Sequence, residues 1–325
     1  MKKCEVCGTL NLKKNNYCTH CGCRIVEENI CPVCGQKNPD ANDTCINCHS
    51  PITPIAIDSF DVLFSEHNLS RILNANFSYD EYVDILDNIF KKLDYANISG
   101  ESPKEKVFQI ANVFTYVVPK SSGIQRGEYG SQLILFDDRL DESLQTSTII
   151  HELAHFLLFD ITVNILSKIL EVNPSPVIKS FVEHFLILPD IEVINEFYAH
   201  SVENRFIPLK YQNFNSFIKC VTDLNMGSEE IDVYIRIANS FAYEVIHYLQ
   251  KYIDDDLREA IRLQFKIDMI EAKKLETDFG NMVCDPQKKN IIFLNLIGSH
   301  FEYLLNNEEA REELGYLKNR FEDFD

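Results

Sequence analysis

Cysteine spacing in the first 48 residues is the feature that most constrains the fold of this chain. Nine of its eleven cysteines lie there, and eight of them form four C-x2-C pairs: Cys4 and Cys7, Cys18 and Cys21, Cys31 and Cys34, Cys45 and Cys48. Each half of the segment reads C-x2-C-x10-C-x2-C, so one small unit is repeated. A unit of about 25 residues has too little core to fold unaided, and two C-x2-C turns supply the four thiolates of a tetrahedral Zn²⁺ site. We therefore predict two structural zinc ions held by these eight cysteines.

The spacing of residues 4–48 resembles that of the double zinc ribbon family, which implies two all-cysteine sites. A disulfide framework is the alternative, and a reducing compartment disfavours it. Residues 1–50 carry six basic and five acidic side chains, and the zinc-bound thiolates would make the module slightly acidic. We expect this module to bind a protein partner or to regulate its neighbour. The proline-containing residues 51–58, PITPIAID, are predicted to be a linker.

Charge excludes several classes of partner. The formal net charge is −19, from 31 Lys and Arg against 50 Asp and Glu, so we expect neither nucleic acid nor anionic membrane as a main partner. The first ten residues, MKKCEVCGTL, lack the apolar run of a signal peptide. Later apolar runs are interrupted by Asp160, Asn164 and Lys168. These features lead us to expect a cytoplasmic chain without a membrane span.

Two histidines and a glutamate interrupt an apolar stretch at residues 148–159, TIIHELAHFLLF. Residues 143–170 contain no glycine or proline and predict one long helix, which NPSP then ends. His151 and His155 are four residues apart, so both imidazoles project from one helix face and can reach a single ion. Glu152 beside them is placed to act as a general base, and the HExxH pattern as a whole predicts a catalytic zinc site. The alternative, a polar patch on a core helix, would bury these groups at a cost.

A third zinc ligand is expected on a second helix. The stretch PDIEVINEFYAHSVENRF, residues 189–206, reads as a helix with proline in its first turn. Four polar side chains share one face of this helix, opposite its apolar residues: Glu192, Glu196, His200 and Glu203. Such a stripe is explained either by a solvent-exposed helix face without a function or by a helix face that binds a metal ion. Glu192 and His200 remain open as alternatives to Glu196 for the third ligand.

The HExxH stretch and its apolar neighbours closely resemble the zincin metallopeptidases. NEFYAH, residues 195–200, is similar to the N-E-x-x-x-D segment of gluzincins, which implies Glu196 as the third zinc ligand. His200 stands where those proteins have an aspartate that supports a ligand histidine. Residues 133–136, LILF, are predicted to be the edge strand over the cleft, where an extended peptide would pair. Residues 127–208 together resemble the compact, regulatory ImmA/IrrE-type metallopeptidase domains.

The fold class predicted from these features is α+β. It places a small double zinc ribbon before a mainly helical, zincin-like domain with a short β-sheet, at residues 59–325, whose C-terminal extension is helical. The resemblance implies a zinc-dependent intracellular peptidase with a protein or peptide substrate. In it Glu152 is the general base, His151, His155 and Glu196 bind zinc, and a metal-activated water attacks the peptide bond. Candidates for stabilising the oxyanion are Tyr198, His200, Tyr211 and His247. Two other hypotheses are a zinc-binding scaffold protein without proteolytic activity and a SprT-like protease that acts on DNA-bound protein.

Overall fold

The structure is a computed structural model that describes residues 2–3, 10–11, 57–121, 127–130, 133–265 and 282–322. The chain divides into two compact units. The first comprises Met1–Ala56 with Glu171–Asn173, and the second comprises Ile57–Leu170 with Pro174–Asp325.

In the first unit, strands β1 (Lys2–Lys3) and β2 (Leu10–Asn11) pair antiparallel. The predicted zinc ligands all lie outside the described residues, as does most of the predicted linker. They are Cys4, Cys7, Cys18, Cys21, Cys31, Cys34, Cys45 and Cys48. The structure therefore gives no positions for these thiolates, and the two zinc ribbons stay a prediction from the sequence.

The second unit is mainly helical and has one small sheet, as an α+β class requires. Its helices are α1 (Phe60–Leu63), α2 (Glu66–Leu73), α3 (Tyr79–Asp94), α4 (Pro103–Asn112), α5 (Glu142–Leu170), α6 (Pro176–Leu186), α7 (Pro189–Phe206), α8 (Asn215–Leu224), α9 (Ser228–Leu249), α10 (Asp255–Gln264), α11 (Pro286–Leu305) and α12 (Glu308–Glu322). A short 3-10 helix, Leu209–Tyr211, connects α7 to α8. The helical character expected of the C-terminal extension is thus confirmed for its described residues.

The sheet corrects one expectation from the sequence. It contains β3 (Tyr116–Pro119), β4 (Gly127–Gly130) and β5 (Leu133–Phe136), in the order β3-β5-β4. Strand β5 pairs parallel with β3 and antiparallel with β4. Both of its hydrogen-bonding edges are therefore used, and Ile134 and Phe136 on it are buried. The predicted edge strand LILF is in fact the central strand, and β4 lies at an edge among the described residues.

Helix α5 is the centre of the second unit, and its observed start and end agree with the prediction. Its 29 residues contact α3, α4, α6, α7 and the sheet, and side chains such as Leu153 and Leu157 are completely buried. Its length and hydropathy would suffice to cross a membrane, but 78% of its most apolar window is buried inside the protein. Such burial is typical of the central helix of a globular domain.

Helix α7 spans the residues predicted from the sequence, beginning with Pro189 in its first turn. It packs against α5 on one side and against α8 and α9 on others, so most of its circumference is buried. The predicted polar stripe is consequently no solvent face beyond its first turn, because His200 and Glu203 are at most 3% exposed. The polar groups of α5 and α7 face each other between these two central helices.

Candidate metal centre

Helix α5 presents two imidazoles and one carboxylate to a cleft. His151 and His155 lie one turn apart, and their ring centroids are 4.8 Å from each other. The side chain of His151 is 13% exposed and that of His155 is 9% exposed, and Glu152 is also buried. Because the surrounding residues of α5 are apolar, these polar groups need partners from another element.

Helix α7 supplies those partners from successive turns. Glu196 places Oε2 3.6 Å from Nε2 of His151 and Oε1 3.7 Å from Nε2 of His155. The two Nε2 atoms are 3.1 Å apart. Two nitrogens and one carboxylate, the set predicted from the sequence, therefore converge on one point.

The opposite nitrogens of both imidazoles are held by oxygen atoms of α7. Nδ1 of His151 lies 3.2 Å from Oε2 of Glu203, and Nδ1 of His155 lies 2.8 Å from Oδ1 of Asn195. Because carboxylate and amide oxygens only accept hydrogen bonds, each Nδ1 must carry the proton and donate it. The two Nε2 atoms then face each other beside a carboxylate, an arrangement that a cation, either a proton on His151 or a bound metal ion, stabilises.

The spacing of these atoms fits a zinc ion. Ligand atoms about 2.0–2.2 Å from a tetrahedral ion lie about 3.3–3.6 Å from one another. The observed separations between the two Nε2 atoms and the Glu196 oxygens are 3.1–3.7 Å. Imidazole and carboxylate ligands with one position left for water are also the donor set of catalytic zinc. His151, His155 and Glu196 thus match the metal in both geometry and chemistry.

Electrostatics of the cluster favour a positive charge between the helices. Burial opposes a charge on His151, but the hydrogen bonds and charges of Glu196 and Glu203 raise its pKa. Burial lowers the pKa of His155, which therefore stays neutral beside its charged neighbour. Burial likewise opposes the charge of Glu196, yet both histidines hold its pKa well below the usual range. The carboxylate is thus ionised and has the protonation state of a metal ligand.

His200 borders the cluster and forms a second possible set of ligands. Its ligand atoms and those of His151 and Glu196 all lie within 4.8 Å of one another. Its Nε2 is 2.7 Å from Oγ of Ser216, which in turn donates to Oε2 of Glu196, and its Nδ1 is 3.4 Å from Oε2 of Glu203. Nε2 of His200 is thus engaged by Ser216, and its Nδ1 lies near Glu203 without forming a hydrogen bond, whereas His155 points Nε2 directly at His151. Through Ser216, His200 holds the Glu196 carboxylate in place.

A cleft of about 600 Å³ opens onto the cluster. Its walls include Glu152, Glu192 and the three predicted metal ligands. They also include apolar side chains such as Phe159 and Ile187, and the cation Lys219. Of the candidate oxyanion stabilisers, His200 lines this cleft. Tyr198 is completely buried, and the hydroxyl of Tyr211 donates to the carbonyl of Phe265 3.3 Å away. The ring of His247 lies against Tyr248 on α9.

Three supporting residues had no role in the sequence analysis. Asn195 and Glu203 were only part of a helix or a polar stripe, although the position of Glu203 two turns after Glu196 predicts a shared face. Ser216 comes from α8, and no local pattern links it to the HExxH motif. Glu192 lies one turn before Glu196 and is only in part exposed to solvent, and its partial burial, with the charge of Glu196 as a second cause, raises its pKa.

Comparison with known proteins adds no assignment. No protein-family model, no curated protein and no solved structure matches this chain. What the site can bind therefore follows from the geometry of its own residues.

Proposed function

We propose that the chain is a zinc-dependent intracellular peptidase of the zincin type, with gluzincin-like ligands. The observation that carries this proposal is the convergence of the two Nε2 atoms and the Glu196 carboxylate within 3.1–3.7 Å. The donated Nδ1 protons add support, because they leave Nε2 of each histidine as the atom that would bind a metal ion.

His151, His155 and Glu196 would hold the ion, and Glu203, Asn195 and Ser216 would fix these ligands. Zinc, when bound, supplies Lewis-acid activation of water and of a carbonyl group. Glu152 takes the proton of the attacking water, and the carboxylic acid so formed returns it to the leaving nitrogen. The apolar flanks of α5 restrict access of bulk water to this carboxylate. Glu152 is buried yet lines the cleft, as a general base must.

A peptide is the substrate class that suits the surroundings. Strand β4 lies at an edge of the described sheet and also packs against α5. An extended peptide can pair with such an edge. The ribbon module would dock a partner or restrain activity, and the substrate would be a protein in the same compartment.

Two alternatives differ in testable ways. A scaffold protein needs neither a general base nor an open cleft, and both Glu152 and the cleft weigh against it. A SprT-like protease on DNA-bound protein would gain from basic surface, whereas the net charge is −19. The peptidase hypothesis is therefore preferred to both.

A pair of variants tests the roles directly. Glu152→Gln keeps shape and hydrogen bonding but cannot accept a proton, so zinc should stay bound while hydrolysis falls by about 10²-fold or more. Glu196→Ala should lose the zinc of this site, because two histidines leave the ion weakly held. We would measure zinc by metal analysis and hydrolysis on a proteome-derived peptide library by mass spectrometry.

The contrast between the variants identifies the site. Glu152→Gln with undiminished cleavage would remove Glu152 as the base. Glu196→Ala with undiminished zinc would shift the third ligand to Glu192 or His200. A wild-type protein that binds this zinc but hydrolyses no peptide or protein in lysate would favour the scaffold hypothesis.

A further inference from the structure

Glu183 is a buried acidic group in the wall of the cleft that the proposed chemistry does not use. It lies in the last turn of α6, is 7% exposed, and lines the same cleft as His151, His155 and Glu196. A carboxylate buried to this extent requires a compensating cation.

Arg320 of the C-terminal helix α12 supplies that cation. Its Nη1 lies 3.8 Å from Oε1 of Glu183, although its own side chain is 53% exposed. Gly130 at the end of edge strand β4 borders both groups, because a Cβ there would be 3.2 Å from Nη2 of Arg320 and 3.9 Å from Oε1 of Glu183. The guanidinium therefore lies where the edge strand, α6 and the cleft meet.

An aromatic contact joins the end of α12, next to Arg320, to helix α5. The ring of Phe321, the residue after Arg320, stacks on that of Phe159 with centroids 5.7 Å apart and an interplanar angle of 7°. Phe159 lines the cleft one turn after His155 on α5, which is about 6 Å along the helix axis. The stacked rings therefore anchor the C-terminal end of α12 at the wall of the cleft that holds the cluster.

The side chains of Glu183 and Arg320 differ in how freely they can move. Glu183 is fixed in a packed helix, whereas the long, half-exposed side chain of Arg320 can extend into water and be hydrated there when another cation takes its place beside the carboxylate. Phe321 remains buried throughout, so α12 need not move. A cationic side chain that enters the cleft can therefore replace Arg320 beside Glu183 at little cost.

We propose that Glu183 forms a subsite for a lysine or arginine side chain of the substrate, at a fixed position relative to the bond that is cleaved. In the free protein Arg320 occupies this subsite and competes with the substrate. This inference rests on the proposed peptidase function.

The first experiment changes only the substrate. Wild-type, zinc-loaded protein is given a proteome-derived peptide library, and cleavage sites are read by mass spectrometry. Lysine or arginine should be enriched at one fixed position relative to the cleaved bond. The best peptide is then compared with a copy that carries norleucine there, which should lose at least about tenfold in kcat/KM, the value of one charged hydrogen bond.

The second experiment changes the subsite. In Glu183→Gln the lysine and norleucine peptides should be cleaved at nearly equal rates. Arg320→Ala should lower KM for the lysine peptide by about twofold to fivefold, the range of one exposed ion pair, and leave the norleucine peptide unaffected. Lys318→Ala removes a charge elsewhere on α12, where Lys318 pairs with Glu322, and should leave both values unchanged. Binding of both peptides to Glu152→Gln protein, by fluorescence anisotropy, should show the same preference without turnover.

The outcomes separate the two proposals. No cleavage of any peptide defeats the peptidase function and this inference with it. Cleavage without a preference for lysine or arginine would overturn the subsite and leave the peptidase function standing. The same conclusion would follow if Glu183→Gln protein with the wild-type melting temperature kept the preference. An unchanged KM in Arg320→Ala overturns the competition by Arg320.

Discussion

Two oxygen atoms of α7 determine how the histidines of α5 present their nitrogens. Oδ1 of Asn195 accepts from His155, and Oε2 of Glu203 accepts from His151. In the gluzincin pattern an aspartate four residues after the ligand glutamate supports a histidine, and here His200 stands at that place. Glu203, one turn further along, contacts Nδ1 of His151. In the proposed site, this contact would supply the carboxylate that the aspartate supplies in the gluzincin pattern.

Glu203→Gln tests this contact. The amide oxygen can still accept the Nδ1 proton, but the negative charge that would strengthen His151 as a ligand is lost. We expect zinc affinity of this site to fall by about 10- to 100-fold, measured by competition with a chromophoric chelator. Asp190→Asn, in the exposed first turn of the same helix, is the control and should bind zinc like the wild type. Unchanged affinity in a folded Glu203→Gln protein would show that Glu203 does not support the ligand.

At the scale of single residues, the sequence could identify candidate site residues but not the contacts that they make. His151, Glu152 and His155 follow from spacing on one helix, and Glu196 followed from the resemblance. The structure brings these four residues to one cleft, and their chemical roles remain predictions. Ser216 could not be found, because its approach to Glu196 depends on how α8 packs on α7. Such hydrogen bonds are tertiary, and no local periodicity encodes them.

At the scale of elements, the long helices were predictable and the sheet was not. Helices α5 and α7 were bounded correctly because prolines mark the first turns of α6 and α7 and none interrupts the apolar pattern. The strands have four residues each, too few for a clear alternation. The order β3-β5-β4 also depends on GEYG, whose glycines give no strand signal. The edge of the sheet was therefore assigned to the wrong strand.

A buried ion pair between α9 and α11 offers a test of packing away from the cleft. The ammonium group of Lys289 is completely buried, contacts the carboxylate of Glu244, and lies 3.8 Å and 4.2 Å from the ring centroids of Tyr82 and Phe241. Lys289→Met would leave Glu244 unpaired, so the free energy of unfolding should fall by about 3–5 kcal/mol. Urea denaturation measures this loss.

The double variant Lys289→Met/Glu244→Leu is the control for that prediction. It removes both charges, and apolar groups of similar size in a buried site restore much of the lost stability. Recovery to within about 1.5 kcal/mol of the wild type would assign the loss to the unpaired carboxylate. An unchanged urea midpoint in Lys289→Met alone would contradict the buried pair.

The two parts of the chain are expected to be stabilised in different ways, the second unit by its apolar core and the cysteine repeat by zinc. The second unit buries an extensive apolar core, with completely buried side chains on most of its helices, so it can fold without metal. The cysteine pairs belong to residues 4–48, where a core of that size is impossible and zinc would have to supply the folding energy. Zinc should therefore affect the two parts of the chain differently. In the first part it would determine the fold, and in the second it would serve the cleft.

This difference predicts the zinc content of the whole chain. The purified protein should bind about three zinc ions, two through the cysteines and one at the cluster of His151, His155 and Glu196. Cys4→Ser should reduce the content to about two, because three thiolates hold the first ion poorly, and should leave the melting transition of the second unit unchanged. Glu196→Ala should also reduce the zinc content to about two ions, but here both cysteine-bound ions should remain. Thiol titration in the presence and absence of a strong chelator shows whether the cysteines still hold zinc, and so distinguishes the two variants. For the wild-type protein, a content of one zinc ion, or a mass that corresponds to four disulfides, would show that the cysteine repeat does not form two zinc sites. Loss of all zinc in Cys4→Ser would show that the two parts of the chain do not bind metal independently.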